Sequence, residues 1–256
     1  MPELPEAETI VRSLRPHLEG RTIESAEFLA RRVSRNSAED FEGRTIRTVR
    51  RYGKQVLFEF DRGFARVKLG MTGALLAGAS PGPYTRAIFR FGASTLLFDD
   101  IRQFGSIELL ETAPADLGPD PLEIDAAIFA ERLRERATEA KRALLDQSLV
   151  RGLGNIYTDE ALFRAGIHPK SRTRRLQRVR AEHLHAEIVA LLELAIAHRG
   201  SSISDYVDAA GERGGFQLLH RVYGKEGAPC PRCGAPIRRI VVAQRGTHFC
   251  AVCQKR

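Results

Sequence analysis

The chain is 256 residues long and carries a formal net charge of +8 at pH 7, enough length for two or three domains with cores of their own. No apolar run approaches the roughly 20 residues of a membrane span, and the charged N-terminus lacks the apolar centre of a secretory signal, so an exported or membrane-embedded protein is excluded and an intracellular one expected. Residues 221–256 hold eight basic side chains against Glu226 alone, whereas residues 1–220 hold 32 basic and 31 acidic ones. A small basic module on a nearly neutral body points to a polyanionic partner, since each phosphate it neutralises releases counterions. The plainer reading is a solvated tail kept basic for solubility.

The first six residues, Met1-Pro2-Glu3-Leu4-Pro5-Glu6, place a nucleophile beside an acid. Removal of Met1, which the small Pro2 permits, would leave a secondary amine followed at once by a carboxylate. An α-amino group has a pKa near ~8 against ~10.4 for lysine, so a useful fraction is unprotonated at neutral pH. On these residues alone, prolines that stiffen a leader and acids that favour a helix N-terminus explain the stretch as well.

Residues 6–18 then read as a helix, with Ile10, Val11 and Leu14 on one face and Gly20 past its end. Strand patterns follow at 45–51, 55–60, 64–69, 86–91, 95–98 and 106–110, separated by turn sequences such as Asp61-Arg62-Gly63 and Gly92-Ala93-Ser94. This spacing predicts an antiparallel sandwich or barrel with a helix laid against it. The proline-rich segment 113–121 ends the pattern, and helical periodicity takes over at 124–139, 142–150, 155–165 and 177–198. A glycine-rich loop, 201–217, precedes the cysteines.

All four cysteines lie in Cys230-x2-Cys233-x16-Cys250-x2-Cys253, the spacing of two knuckles around one tetrahedral Zn²⁺. Two disulfides are the weaker reading in a chain without a secretory signal. A zinc ribbon holds rigid a hairpin too small to have a core, and 238–248 would be that hairpin. The second local feature, Val150-Arg-Gly-Leu-Gly-Asn155-Ile-Tyr157, sets a glycine-rich turn at a helix start, where free amides and the helix dipole favour a phosphate. Glycine before a capping Asn is also ordinary helix punctuation.

Pro2 to Glu6, Leu69-Gly-Met-Thr-Gly73, residues 100–105, Gly152 to Tyr157 with Ala165-Gly-Ile-His-Pro169, and the ribbon with Ala243-Gln-Arg-Gly-Thr247 together resemble the bacterial formamidopyrimidine-DNA glycosylase family, in order and along the whole chain. The resemblance implies an α+β protein: an N-terminal antiparallel β-sandwich with a flanking helix (1–112), a linker (113–123), a helix-two-turns-helix DNA-binding domain (124–220) and a zinc finger (221–256). It implies a monomeric bacterial cytoplasmic enzyme acting at the nucleoid, with one structural Zn²⁺ on Cys230, Cys233, Cys250 and Cys253. Its activity would be excision of oxidised purines, 8-oxoguanine and formamidopyrimidines, from double-stranded DNA, followed by strand cleavage.

Roles for single residues follow from the same resemblance. Pro2 would attack the sugar carbon of a flipped-out nucleotide and form a Schiff base, and Glu3 would supply a proton. Lys54 matches a hairpin lysine that donates protons and contacts the lesion strand; Arg245 matches a finger arginine assigned to phosphate binding and the second elimination. Lys141 and Asn155 match phosphate ligands, and Glu6 a structural acid near the site. Met71, Arg102 and Phe104 match the trio that fills the hole left by a flipped base. Tyr84 stands near a position where many members carry a DNA-contacting histidine, and Arg136 aligns by offset with a basic DNA-binding residue. Ile101 and Gln103 depart from the family's Asp-Pro-Arg-Arg-Phe-Gly and bear on opposite-base preference. Two other readings remain. One is an endonuclease VIII-like enzyme for oxidised pyrimidines, against which Leu4 and Arg102-x-Phe104 speak. The other is a catalytically silent binder of distorted duplex, which would have no use for Pro2, Glu3 and Lys54.

Overall fold

The computed structural model describes residues 2–203 and 206–256; Met1 and, within the glycine-rich loop, Ser204 and Asp205 lie outside the described residues. Packing divides the chain into two compact units, residues 1–115 with 196–217, and residues 116–195 with 218–256. By packing, the glycine-rich loop belongs with the N-terminal unit and the cysteine module with the helices.

The first unit opens with helix α1 (Leu4–Leu18). Glu3 and Glu6 form a reciprocal capping box, the Glu3 side chain accepting from the third helical residue and Glu6 from the Glu3 amide, while Pro5 occupies an early position where no amide is needed. The helix therefore starts two residues earlier than its apolar periodicity suggests. Eight strands follow: β1 (Ser25–Phe28), β2 (Ile46–Tyr52), β3 (Gln55–Phe60), β4 (Phe64–Lys68), β5 (Gly73–Ala77), β6 (Thr85–Phe91), β7 (Ser94–Asp100) and β8 (Ser106–Leu110). They form two four-stranded antiparallel sheets, ordered β1-β6-β7-β5 and β2-β3-β4-β8. This is the sandwich expected. Ile10, Val11, Leu14 and Leu18 of α1 join Val49, Val56, Phe58, Val67, Leu75, Phe89 and Phe98 in one apolar core.

The two strands that alternation does not reveal, β1 and β5, are the edges of one sheet. These two bury little: no residue of β1 is fully buried, and only Leu75 of β5 is.

The second unit contains α2 (Ala126–Glu135), α3 (Ala140–Leu145), α4 (Asn155–Arg164) and α5 (Arg178–Ala197), whose last residues pass into the first unit, then the hairpin β9 (Arg238–Val242) and β10 (Arg245–Phe249). Asp125 caps α2 by accepting from the amides of Ala127 and Ile128. Two helices are shorter than their periodicity implies. Ala137 takes a φ of +51° and stops α2, and α3 ends at Leu145 because Leu149 and Val150 are buried from a turn, not a helix.

Candidate active site and nucleic-acid interface

In the first unit the N-terminal residues are enclosed. Pro2 is buried, Glu3 is 3% exposed and Glu6 is 1% exposed. One Glu6 carboxylate oxygen accepts from the Glu3 amide at 2.7 Å and the other from the Ser201 amide at 2.7 Å. Gly200, with φ +73°, makes this possible: a Cβ there would stand 2.6 Å from Glu6 Oε1. The Tyr206 hydroxyl donates to the Arg199 carbonyl at 3.2 Å, and burial pushes its pKa above the ordinary tyrosine value. Glu6 thus caps its own helix and also ties it to a segment nearly two hundred residues away.

Lys54 sits half-buried in the two-residue turn Gly53-Lys54 between β2 and β3, whose ends pair at Tyr52 and Gln55. Farther along the sandwich, Met71, Arg102 and Phe104 come together. The Arg102 guanidinium lies 4.6 Å from the Phe104 ring centroid and donates to the Met71 sulfur at 3.2 Å. All three are exposed, Phe104 at 60% and Met71 at 44%. Exposed large apolar side chains stacked with a cation are poor stabilisers and good contacts for bases.

Sequence reasoning missed what holds this trio. Asp100 is 1% exposed; its carboxylate accepts from the Thr72 hydroxyl and, at 2.7 Å, from the Gly105 amide, joining the two loops that carry Met71 and Phe104. Gly70 at φ +61° lets the loops touch, since a Cβ there would lie 2.8 Å from the Phe104 carbonyl carbon. Tyr84 is 47% exposed, and its carbonyl accepts from the Asp100 amide. Gln103 takes a φ of +54°, the strained member of the loop.

In the second unit the predicted phosphate ligands meet the hairpin. Lys141 Nζ donates to Asp159 Oδ1 at 2.7 Å and to the Gly246 carbonyl at 3.2 Å; Asn155 Nδ2 donates to the same carbonyl at 3.1 Å. Lys141 has no exposed surface. In this structure it is an enclosed tie from α3 to α4 and the hairpin. Asp159 uses its second oxygen on the His248 amide at 2.8 Å. Its neighbour Glu160 accepts from the amides of Arg221, Val222 and Tyr223, and burial, outweighing these bonds, raises its pKa. At the far end of α4, Arg232 donates to the carbonyls of Phe163 and Arg164 and lies over the Phe163 ring, a cation at a helix C-terminus. One of the tail's positive charges is therefore structural.

Gln147 closes the turn between α3 and α4: its amide donates to the carbonyls of Leu145 and Leu153 and accepts from the Gly152 amide. Nothing in its sequence position announces that task. Arg245 opens β10, is exposed, and its side chain has no hydrogen-bond or ion partner among the described residues. Arg136 ends α2 and pairs with Asp146 at 3.5 Å, which engages it locally.

The four cysteine sulfurs lie within 4.8 Å of one another, Cys230 and Cys253 at 3.9 Å and Cys233 and Cys250 at 3.5 Å. Those spacings are far too long for disulfides and fit a tetrahedral Zn²⁺ with bonds of about 2.3 Å. Four thiolates leave no open position, so the metal they hold is structural.

Residues 1–107 match the formamidopyrimidine-DNA glycosylase N-terminal domain, residues 117–207 the H2TH domain of the same enzymes, and residues 227–256 the zinc finger found in FPG and IleRS. The chain is 51% identical over 265 residues to the formamidopyrimidine-DNA glycosylase of Solibacter usitatus and 41% identical over 275 residues to that of Bacillus subtilis, each comparison covering both chains completely. This chain belongs to the formamidopyrimidine-DNA glycosylase family. Among solved structures, the MutM (Fpg) protein of Thermus thermophilus matches with a TM-score of 0.91 at 42% identity, over 99% of this chain and 98% of that one. A Lactococcus lactis Fpg bound to abasic-site DNA matches with a TM-score of 0.89 at 38% identity, over 99% and 100%. No described helix is long and apolar enough to cross a membrane.

Proposed function

We propose that this enzyme excises oxidised purines from duplex DNA and then cuts the strand through a Schiff base on Pro2. The observation that carries the reading is the enclosed Pro2-Glu3 pair at the start of α1, with Glu6 clamped to the Glu3 amide and to Ser201. Loss of Met1 frees the proline nitrogen, whose lone pair attacks C1′ of the flipped nucleotide as the glycosidic bond breaks; the base leaves with that electron pair and takes up the proton that the amine gives up. Glu3 protonates the sugar ring oxygen, the ring opens, and an iminium forms. A secondary amine gives an iminium that is cationic without a further proton, so it serves as an electron sink at neutral pH. A proton then leaves C2′ and the 3′ phosphate departs; a second elimination, assigned to Arg245, releases the 5′ phosphate.

Lys54 fits the role of proton donor on the lesion strand, and Met71, Arg102 and Phe104 that of filling the space the nucleotide vacates. Asn155, Arg245, Tyr84 and Arg136 would bind the DNA backbone, with Lys141 acting through Asp159 and Gly246. Support for the lesion class comes from relatives: the Lactococcus lactis protein is seen with Fapy-dG-containing DNA and with abasic-site DNA.

Borohydride trapping on duplexes bearing 8-oxoguanine, a formamidopyrimidine or thymine glycol tests the reading. The expected result is a covalent adduct on the two purine lesions, its mass locating the link at Pro2. Trapping chiefly on thymine glycol would move the substrate to oxidised pyrimidines, and no adduct on any lesion would leave a binding protein. In Glu3→Gln, turnover should fall by about 10²–10⁴-fold with lesion affinity retained; equal loss of both would deny Glu3 its chemical role.

A further inference from the structure

The second unit carries a concave basic site that the chemistry above does not use. A cavity of about 430 Å³ is lined by Lys170, Ser171, Arg172, Arg175, Arg180 and Arg256, together with Leu176. Five of these side chains are cations, and no carboxylate side chain lines the cavity. Elsewhere in the unit, three arginines find acids: Arg136 pairs with Asp146, Arg151 with Asp120, and Arg178 with Glu182. Here, among the described residues, Lys170, Arg172, Arg175 and Arg256 have no side-chain hydrogen bond or ion pair, and Arg180 reaches only the Gly166 carbonyl at 3.4 Å. His168, beside them, has its pKa lowered by burial first and then by the charges of Arg256 and Lys170.

Position separates this site from the glycine-rich turn. Lys255 bridges to Ile167 and bonds to the Gly166 carbonyl, just past the end of α4, whereas the turn and Asn155 stand at its beginning. The ten residues of α4 set the two ends about 15 Å apart, too far for one phosphate to bridge.

We infer that this cavity is a second anion site, built for phosphate groups in series, either consecutive phosphodiesters of a nucleic acid or a free oligophosphate. Guanidinium forks bind phosphate oxygens two at a time, and a concave wall of like charges focuses its field on an anion. The volume lies in the range of a small-ligand pocket, large enough for more than one phosphate.

The test uses the full-length, zinc-loaded protein and compares it with Arg172→Ala/Arg175→Ala and with Arg178→Ala, a nearby arginine outside the cavity and already paired. Calorimetric titration with inorganic tripolyphosphate reads the free source; the salt dependence of binding to a short undamaged duplex reads the nucleic-acid source. Both replaced arginines are exposed, so the melting temperature should stay within the range of surface substitutions. The double variant is expected to bind tripolyphosphate about tenfold more weakly, or to lose about 0.9 from the salt slope for each phosphate contact removed, while Arg178→Ala matches the parent. Loss with tripolyphosphate alone assigns a free oligophosphate, and loss with duplex alone, or with both, assigns nucleic acid. Unchanged binding of both probes, or an equal loss in Arg178→Ala, overturns the site.

Discussion

The β sandwich and the zinc-ribbon unit keep their shapes by opposite means. In the sandwich, two sheets and one helix share a continuous apolar core. There Arg102 and Phe104 stand exposed, and the buried acids, Glu6 and Asp100, position loops. The hairpin β9–β10 has almost no core of its own. A small cluster of Phe163, Val222, Cys230, Ile237 and Cys250 supports it, and the remainder is metal ligation and buried polar ties. Lys141, Asn155, Asp159, Glu160 and Arg232 are occupied in holding the ribbon along α4. Where apolar area is scarce, charged residues are absorbed into structure, and their number overstates the surface left for DNA.

The strongest way to break the contrast is to remove a metal ligand. Cys233→Ser should release zinc, whose binding contributes about 10–16 kcal/mol in isolated zinc fingers, and unfold the ribbon while the sandwich keeps its own melting transition. Metal analysis showing a full complement of zinc in that variant would refute the ligand set. DNA affinity should fall with the metal.

Next comes the buried ion pair. Lys141→Met leaves Asp159 charged and enclosed, and should cost about 3–5 kcal/mol in urea unfolding of the second unit. Lys141→Met with Asp159→Leu should recover much of that loss, because the hole is then apolar on both sides. If the single variant is as stable as the parent, the tie is ornamental and the contrast between the units weakens.

In the first unit, Gly200→Ala introduces a Cβ where φ is +73° and Glu6 lies 2.6 Å away. A loss of about 1–3 kcal/mol is expected, together with a drop in turnover as Glu6 shifts from the Glu3 amide. Unaltered turnover would separate the clasp from catalysis.

The smallest effect concerns Glu8, which joins α1 to β2 by accepting from Arg12 and Arg51. Burial alone would raise its carboxyl, but the two arginines outweigh it and hold the pKa below 4.5. A depressed folded value stabilises above the ordinary pKa and loses that contribution as pH falls through the folded one. Glu8→Gln should therefore be less stable than the parent near pH 7 by about 0.2–1 kcal/mol, with the gap closing below pH ~4. A gap that persists in acid would mean that packing, not charge, makes the difference.

Chain-local information determined a great deal here. Period-two alternation located six of the eight sandwich strands; the Cys-x2-Cys pairs defined the ligand set; Pro2-Glu3 and the glycine-rich turn before Asn155 marked the candidate site. Each of these is a signal written within a few residues. Strands β1 and β5 escaped because few of their residues are buried, which leaves little alternation to read. Glu6 with Ser201, Asp100 with Thr72 and Gly105, Gln147 across its turn, and Lys141 with Asp159 were decided by tertiary structure alone. A hydrogen bond between residues far apart in the chain leaves no periodic trace, since either partner in isolation is an ordinary surface polar residue until folding removes its water.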